Sequence, residues 1–307
     1  MKPQRRYIAG FALLILMVVG SFVFISDSKP TLLDLPVVPH SLIESTWSKR
    51  SVLLLGLGDS ITAGYGASPG HSYFEMLAAN PRNDAPAMAG LNLSKALPNL
   101  TKLNRSVSGS TSLHCLEQQI PKVDMQSPDV FGIVCITTGG NDLIHNYGRS
   151  PPMEHAMYGA TWEMAEPWVK SYEQRLLQIV NAVESRFPGG CRIFIATIYD
   201  PTDGVGDIEN AGGMDLPAWS DALRVLDSYN QVIKRIANKY PNIYLVDLHE
   251  SFLGHGIHSR ESAMKKYNQG DRSYWYFENL EDPNDFGYDA IRRLFLLEIA
   301  SAFRDLK

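Results

Sequence analysis

The sequence predicts an α/β fold built on an open parallel sheet. Two observations predict it. Short, unbroken apolar runs recur along the chain at Val52–Leu57, Val130–Thr138, Arg192–Thr197 and Ile243–Leu248, with a weaker one near Leu103–Val107. They are rich in aliphatic and β-branched residues and lack polar alternation, as in strands buried on both faces. Between them lie stretches with helical periodicity. Strands alternating with helices give parallel sheets whose ligands bind beyond the carboxyl ends of the strands.

The elements follow in chain order. Lys2, Arg5 and Arg6 precede an apolar run from Ile8 to Ile25, roughly 18 residues, just long enough to cross a bilayer. The run is long and FVFISDS is a poor cleavage site, so residues 1–27 are expected to be an uncleaved signal anchor, with a cleaved signal peptide as the alternative. The basic flank stays cytoplasmic, which places the rest of the chain outside the cytoplasm. Residues 28–50 hold Pro30, Pro36 and Pro39 with little periodicity and read as a linker. Residues 51–307 form the main domain. Its helices are expected over Trp168–Phe187, Ala222–Tyr240 and Tyr288–Phe303, each with apolar residues at near-helical spacing. Two long connections, Tyr147–Pro167 and Asp200–Trp219, follow strands and should lie over the site face, as surface decoration or as walls of a pocket.

Bulk properties narrow the partners. A formal net charge of −5 gives no basic footprint, so no nucleic acid is expected. Three scattered cysteines exclude a disulfide framework or a zinc site. The loop DPTDGVGDIE gathers Asp200, Asp203, Asp207 and Glu209 without EF-hand spacing and reads as a solvated acidic turn. Tyr274-Trp275-Tyr276-Phe277 is an aromatic cluster, suited to packing or to a sugar- or acyl-binding wall.

The chemistry concentrates at strand ends. Gly58-Asp59-Ser60-Ile61-Thr62-Ala63-Gly64-Tyr65-Gly66 follows the first run. A serine between strand and helix can project its hydroxyl into the crevice, near N–H groups that favour negative charge. Ile61 stands where a dinucleotide fingerprint needs glycine, and neither a phosphate-binding G-x-x-x-x-G-K-[ST] nor a G-x-S-x-G elbow occurs. Asn104-Arg105-Ser106-Val107-Ser108-Gly109 follows the second run, and Gly139-Gly140-Asn141-Asp142 follows the third.

Three such blocks in this order resemble the SGNH/GDSL hydrolase superfamily, from about Leu53 to the C-terminus. The resemblance implies a flavodoxin-like three-layer sandwich with a five-stranded parallel sheet. It implies that Ser60 is the nucleophile. The oxyanion hole would be the N–H groups of Ser60 and Gly109 with the Asn141 amide. Asp59 and Asp142 would support loops. The activity implied is cofactor-free, serine-dependent hydrolysis of carboxylic esters through an acyl-enzyme, on small-molecule, lipid or carbohydrate esters. A catalytically degenerate binding module and an acyltransferase are the alternatives.

The family's last block is usually D-x-x-H followed by P-N-x-x-G. Here Pro283, Asn284 and Gly287 stand in place, but Asn279 and Asp282 occupy the acid and histidine positions. Three accounts stay open. In the first, His258, in the run Gly254-His255-Gly256-Ile257-His258, is a relocated base oriented by Asp282, with His145 and His71 as lesser candidates. In the second, Asp282 is itself the base, though an ordinary aspartate is far weaker than imidazole. In the third, the domain binds a ligand without turnover.

Overall fold

The computed structural model describes residues 35–261 and 274–304. Five parallel strands form one sheet: β1 (Ser51–Gly58), β2 (Leu100–Asn104), β3 (Val130–Thr137), β4 (Cys191–Ala196) and β5 (Ile243–Val246), in the order β2-β1-β3-β4-β5. The order reverses at β1, between β2 and β3. A crevice opens at such a switch point, beyond the carboxyl ends of the strands. β1 and β3 pair from Ser51↔Val130 to Gly58↔Thr137, which brings the loops after both strands to one edge.

Side chains alternate across the sheet. Leu53, Leu55 and Leu57 face one layer, where α2 (Trp162–Glu184) and α3 (Ala222–Lys239) pack with Val134, Ile136, Ile193 and Ile195. Val52 and Leu54 face the other, with Ile133, Phe194, the helix Tyr73–Ala78 and the C-terminal helix α4 (Asp285–Arg304). This is the three-layer sandwich that the family resemblance implies, built on the open parallel sheet that the strand and helix pattern predicts. The central strands β1, β3 and β4 carry long buried runs, whereas β2 is a half-exposed edge strand.

Three expectations change. α2 starts at Trp162, not Trp168, because Pro167 near a helix start removes only one hydrogen bond; Asp221 accepts from the Trp162 N–H at 3.0 Å. The described part of the expected linker packs on the domain. Leu35, Val38, Leu42 and Ile43 are buried, and Trp47 stacks on Phe303 at 5.5 Å. The 200–209 loop is not a solvated turn. Asp200 accepts from Thr202 and Gly204, and buried Asp203 accepts from the N–H groups of Gly254, Gly256 and His258 at 2.8–2.9 Å. Asp200 and Asp203 serve as acceptors for backbone donors that folding has removed from water.

The aromatic cluster resolves toward packing. Trp275 and Tyr276 are buried against Phe252, with Tyr199 on the Tyr276 ring. The apolar run Ile8–Ile25 lies outside the described residues. Among those described, no helix is long and apolar enough to cross a membrane.

Candidate active site

Ser60 is the first residue of α1 (Ser60–Ala63), directly beyond β1. Gly58 permits that turn. Its φ is +114°, and a Cβ there would meet the Thr137 carbonyl oxygen at 1.6 Å, so no other residue fits. Asp59 caps α1. Its Oδ1 accepts from the Ile61 N–H at 3.2 Å and from the Thr137 hydroxyl at 2.7 Å. Burial pushes the Asp59 carboxyl up to about 7, against the pull of those two hydrogen bonds and with a further push from the charge of Asp282. The acid beside the serine therefore holds a loop in place and keeps its proton to a higher pH than an ordinary carboxyl does.

The other two blocks converge on the same edge. Gly109 has φ +76°. Ser110 next to it receives the Asn141 Nδ2–H on its carbonyl at 3.1 Å. Gln119 joins the loops. Buried, it accepts from the Gly58 N–H at 2.8 Å and donates to the Gly58 carbonyl at 2.7 Å and to the Ser110 hydroxyl at 2.8 Å. Asp142 sits behind Asn141 and is fully buried. It accepts from the Ser112 N–H and hydroxyl at 2.8 and 2.6 Å, with His155 Nδ1 at 3.0 Å. Arg175 donates to the Ser112 hydroxyl at 3.0 Å and pairs with Glu154. Sequence reading found Asp142 as a support; Gln119, Arg175 and His155 have no local signal and were missed.

The last block reaches Ser60 from the far end of the chain. Asn279 Nδ2 donates to Asp282 Oδ2 at 2.7 Å, and the Asp282 N–H donates back to Asn279 Oδ1 at 3.2 Å. Asp282 is buried. Burial raises its carboxyl above the ordinary carboxylate range, while the Ser60 hydroxyl and the Asn279 amide pull it back. Its Oδ1 is buried and has no hydrogen-bond partner among the described residues. The Ser60 hydroxyl and the Asp282 carboxyl are thus neighbours at this edge. Tyr288 ties the block to the serine turn, its hydroxyl donating to the Tyr65 carbonyl at 2.6 Å.

The structure does not bring His258 to this edge. Its Nε2 pairs with Asp207 at 3.0 Å and its Nδ1 with Glu261 at 2.9 Å. Burial opposes the charge, but the two carboxylates outweigh it and raise the His258 pKa, and both ring nitrogens are engaged by carboxylates. His145 is exposed, His71 contacts the Pro69 carbonyl at 3.2 Å, and His255 is buried with its ring stacked on Trp275 at 3.4 Å. No histidine lines the cavity that holds Ser60 among the described residues.

That cavity opens beside Ser60 and Asn141. Its empty space, counting the part open to solvent, is about 1160 Å³. Both long connections wall it, through Tyr147 and Tyr158 on one side and Met214, Leu216 and Trp219 on the other. Glu281 also lines it; burial first, and then the charge of Asp282, push its carboxyl up to about 7. No group of three or more possible metal ligands occurs among the described residues.

With the three blocks on one edge of a 2-1-3-4-5 sheet, comparison with known proteins becomes informative. A profile of the GDSL-like lipase/acylhydrolase family matches residues 57–290. The chain belongs to this family. The match takes in the loops that carry Ser60, Gly109 and Asn141. Among solved structures, a lipolytic G-D-S-L protein from Veillonella parvula is 14% identical, covering 80% of this chain and 96% of its own, with a TM-score of 0.47. An extracellular lipase from Streptomyces rimosus is 16% identical, covering 82% and 99%, with a TM-score of 0.47. An acetylxylan esterase from Geobacillus stearothermophilus is 20% identical, covering 82% and 94%, with a TM-score of 0.46. No curated protein matches the chain.

Proposed function

We infer that this GDSL-like protein hydrolyses carboxylic esters through an acyl-enzyme on Ser60, with the Asp282 carboxylate as the base. Ser60 Oγ attacks the ester carbonyl carbon and its proton passes to Asp282. The tetrahedral oxyanion is met by the N–H groups of Ser60 and Gly109 and by Asn141 Nδ2. The carbon–oxygen bond to the alcohol breaks, and Asp282 returns its proton to the leaving oxygen. Water then attacks the acyl-enzyme, losing a proton to Asp282, and Ser60 recovers its own as the acid departs.

The observation that carries this reading is the buried Asp282 carboxyl beside the Ser60 hydroxyl, where the family places histidine. Two features favour aspartate as a workable base. Burial lifts its pKa toward the operating range, and Asn279 holds it in one orientation as the usual acid holds histidine. The domain acting outside the cytoplasm, behind an anchor at residues 1–27, is part of the same proposal and rests on the basic flank and apolar run alone.

The second reading, a ligand-binding domain without turnover, is favoured by the absence of imidazole from the Ser60 cavity among the described residues. Fluorophosphonate labelling decides between them. The proposed enzyme gives an adduct on Ser60 that is absent from Ser60→Ala and lost or slowed in Asp282→Asn, and retained in His258→Ala. Folded protein that forms no adduct and hydrolyses no simple ester is the binding module.

A further inference from the structure

We propose that Gln119 is a positioning residue for ester hydrolysis, setting the spacing of the donors that meet the oxyanion. This rests on the reading of Ser60 given above and deepens it by naming the side chain that aligns Ser60, Gly109 and Asn141.

The three donors sit on three separate loops, so their mutual distances depend on what fastens the loops together. A catalytic constellation has to be held to within about 0.5 Å of its productive geometry. The soft point is Gly58, two residues before Ser60. Its φ is +114°, and glycine has no Cβ to restrain the backbone there. Gln119 grips it on both sides. Oε1 accepts from the Gly58 N–H at 2.8 Å, and Nε2 donates to the Gly58 carbonyl at 2.7 Å. These two groups belong to the peptide planes on either side of the Gly58 Cα. The pair of bonds therefore restrains both dihedrals through which Ser60 could swing.

The remaining hydrogen of Nε2 goes to the second loop, to the Ser110 hydroxyl at 2.8 Å. Ser110 follows Gly109, and its carbonyl receives Asn141 Nδ2 at 3.1 Å. One amide thus reaches all three donor loops, two directly and the third through Ser110. Other bonds join the serine turn to the exit of β2: the Val107 N–H donates to the Gly58 carbonyl at 3.1 Å, and Asn104 Nδ2 to the Thr62 carbonyl at 2.8 Å. Both lie before Gly109 in the chain. Gln119 holds the same loop from beyond Gly109, so that glycine is bracketed.

The amide suits this work. Gln119 is buried, yet both its hydrogens are donated and its oxygen accepts. Only one orientation serves, because the Gly58 N–H needs an acceptor and the Gly58 carbonyl a donor. A buried network with every member paired is rigid. The backbone that presents it is unusual. Cys115–Gln119 forms a single π-helical turn, a rare geometry found often at functional sites. Cys115 and Ile120 on its flanks are buried in the core on one face of the sheet, which anchors the turn.

The full chain tests this through rates expressed per serine labelled to completion by a fluorophosphonate, so that loss of folded protein drops out. Gln119→Met keeps the length and packing and removes all three bonds. Gln119→Glu, ionised, keeps an acceptor for the Gly58 N–H and loses both donations. In each, kcat on p-nitrophenyl butyrate should fall about ten- to hundredfold, the cost of a small misplacement. KM should stay within about threefold, because the ground-state ester asks less of the donors than the oxyanion does. A trifluoromethyl ketone gives an independent readout: Ser60 Oγ adds to its carbonyl carbon, the proton passes to Asp282, and the hemiketal oxyanion sits where the tetrahedral intermediate would. Its inhibition constant should rise by about the factor by which kcat/KM falls. A glutamine that served stability alone would lower the yield of labelled protein and move neither readout.

Kcat and ketone affinity like the parent's in whichever variant folds, or a rise in KM with kcat unchanged, overturns the proposal and leaves Ser60 catalysis intact, since the parent still labels and turns over. A parent chain that neither labels on Ser60 nor hydrolyses any ester overturns both readings together.

Discussion

Asn279 and Asp282 form a reciprocal pair: the Asn279 amide donates to the Asp282 carboxylate at 2.7 Å while its carbonyl accepts from the Asp282 N–H at 3.2 Å. The amide fixes one carboxylate oxygen and leaves the other, Oδ1, buried without a hydrogen-bond partner among the described residues. A buried acceptor left open costs stability. Here the cost is carried at the position where the family keeps its base.

Asp282→Asn keeps the shape and removes the base. General-base catalysis is worth about two to four orders of magnitude, so kcat/KM on a p-nitrophenyl ester should fall by that much. Thermal stability should hold or rise, because a buried carboxylate has become a neutral amide. A large activity loss together with unfolding would indicate damage to the fold instead. His258→Ala, which removes a ring held between Asp207 and Glu261, should lower stability slightly and leave kcat/KM within about threefold of the parent, since one such polar network near the surface contributes little.

The acid limb of the pH–rate profile should report Asp282. Its pKa is raised by burial, so the base is protonated, and activity lost, as pH falls through a value above the ordinary carboxylate range. Asn279→Asp replaces the amide donor with a second carboxylate beside Oδ2. Like charges raise one another's pKa, so the limb should move up by about one pH unit or more. A limb that stays where it was in Asn279→Asp would remove Asp282 from the mechanism.

Asn141→Ala deletes the side-chain donor proposed for the oxyanion. Loss of one such donor typically costs about two to three orders of magnitude in kcat. The loss should fall on kcat with KM little changed, because the ground-state carbonyl gains less from the donor than the oxyanion does. Asn141 also donates to the Ser110 carbonyl, so Asn141→Asp is the companion variant. It presents acceptors to that carbonyl and to the oxyanion, and should be at least as slow.

How much of this was readable in advance depends on where each signal is stored. β1, β3 and β4 are buried on both faces, so burial forces continuous apolar runs and the runs locate the strands. β2 is an edge strand with Thr101 and Lys102 exposed; no such pressure acts there, and the apolar run at Leu103–Val107 catches only its end and the following loop. Ser60, Gly109 and Asn141 were legible because a strand end needs specific residues to turn and to present a group. Gln119 was not. Its value lies in two hydrogen bonds to a glycine peptide 61 residues away, and a lone glutamine carries no local mark of that. Asp203 misled for the same reason: the acids of DPTDGVGDIE are visible, but the three N–H donors that claim Asp203 come from Gly254, Gly256 and His258. The relocated base at His258 was inferred from resemblance of the run Gly-Ile-His; the ring's direction is set by Asp207 and Glu261, which no spacing reveals.

Asp59 gives a prediction about stability rather than rate. In the folded chain its carboxyl titrates near 7, against an ordinary value of 3.8. From about pH 4 to 7 the unfolded chain ionises at this position while the folded chain does not, so the folded state holds more protons and stability falls as pH rises through that window. Above 7 the loss is complete, on the order of 4 kcal/mol by linkage. Asp59→Asn is neutral at every pH and keeps an Oδ1 that can accept from Ile61 and Thr137, and asparagine caps helices about as well as aspartate. Its stability gain over the parent, measured by denaturant unfolding, should therefore be small near pH 4, grow toward pH 7 and then level off. Glu281, also lifted to about 7, adds a pH dependence of the same sign to both proteins and cancels in the difference. A gain that does not change between pH 4 and 8 would mean that Asp59 is ionised in the folded chain, with Thr137 and Ile61 compensating its burial in full.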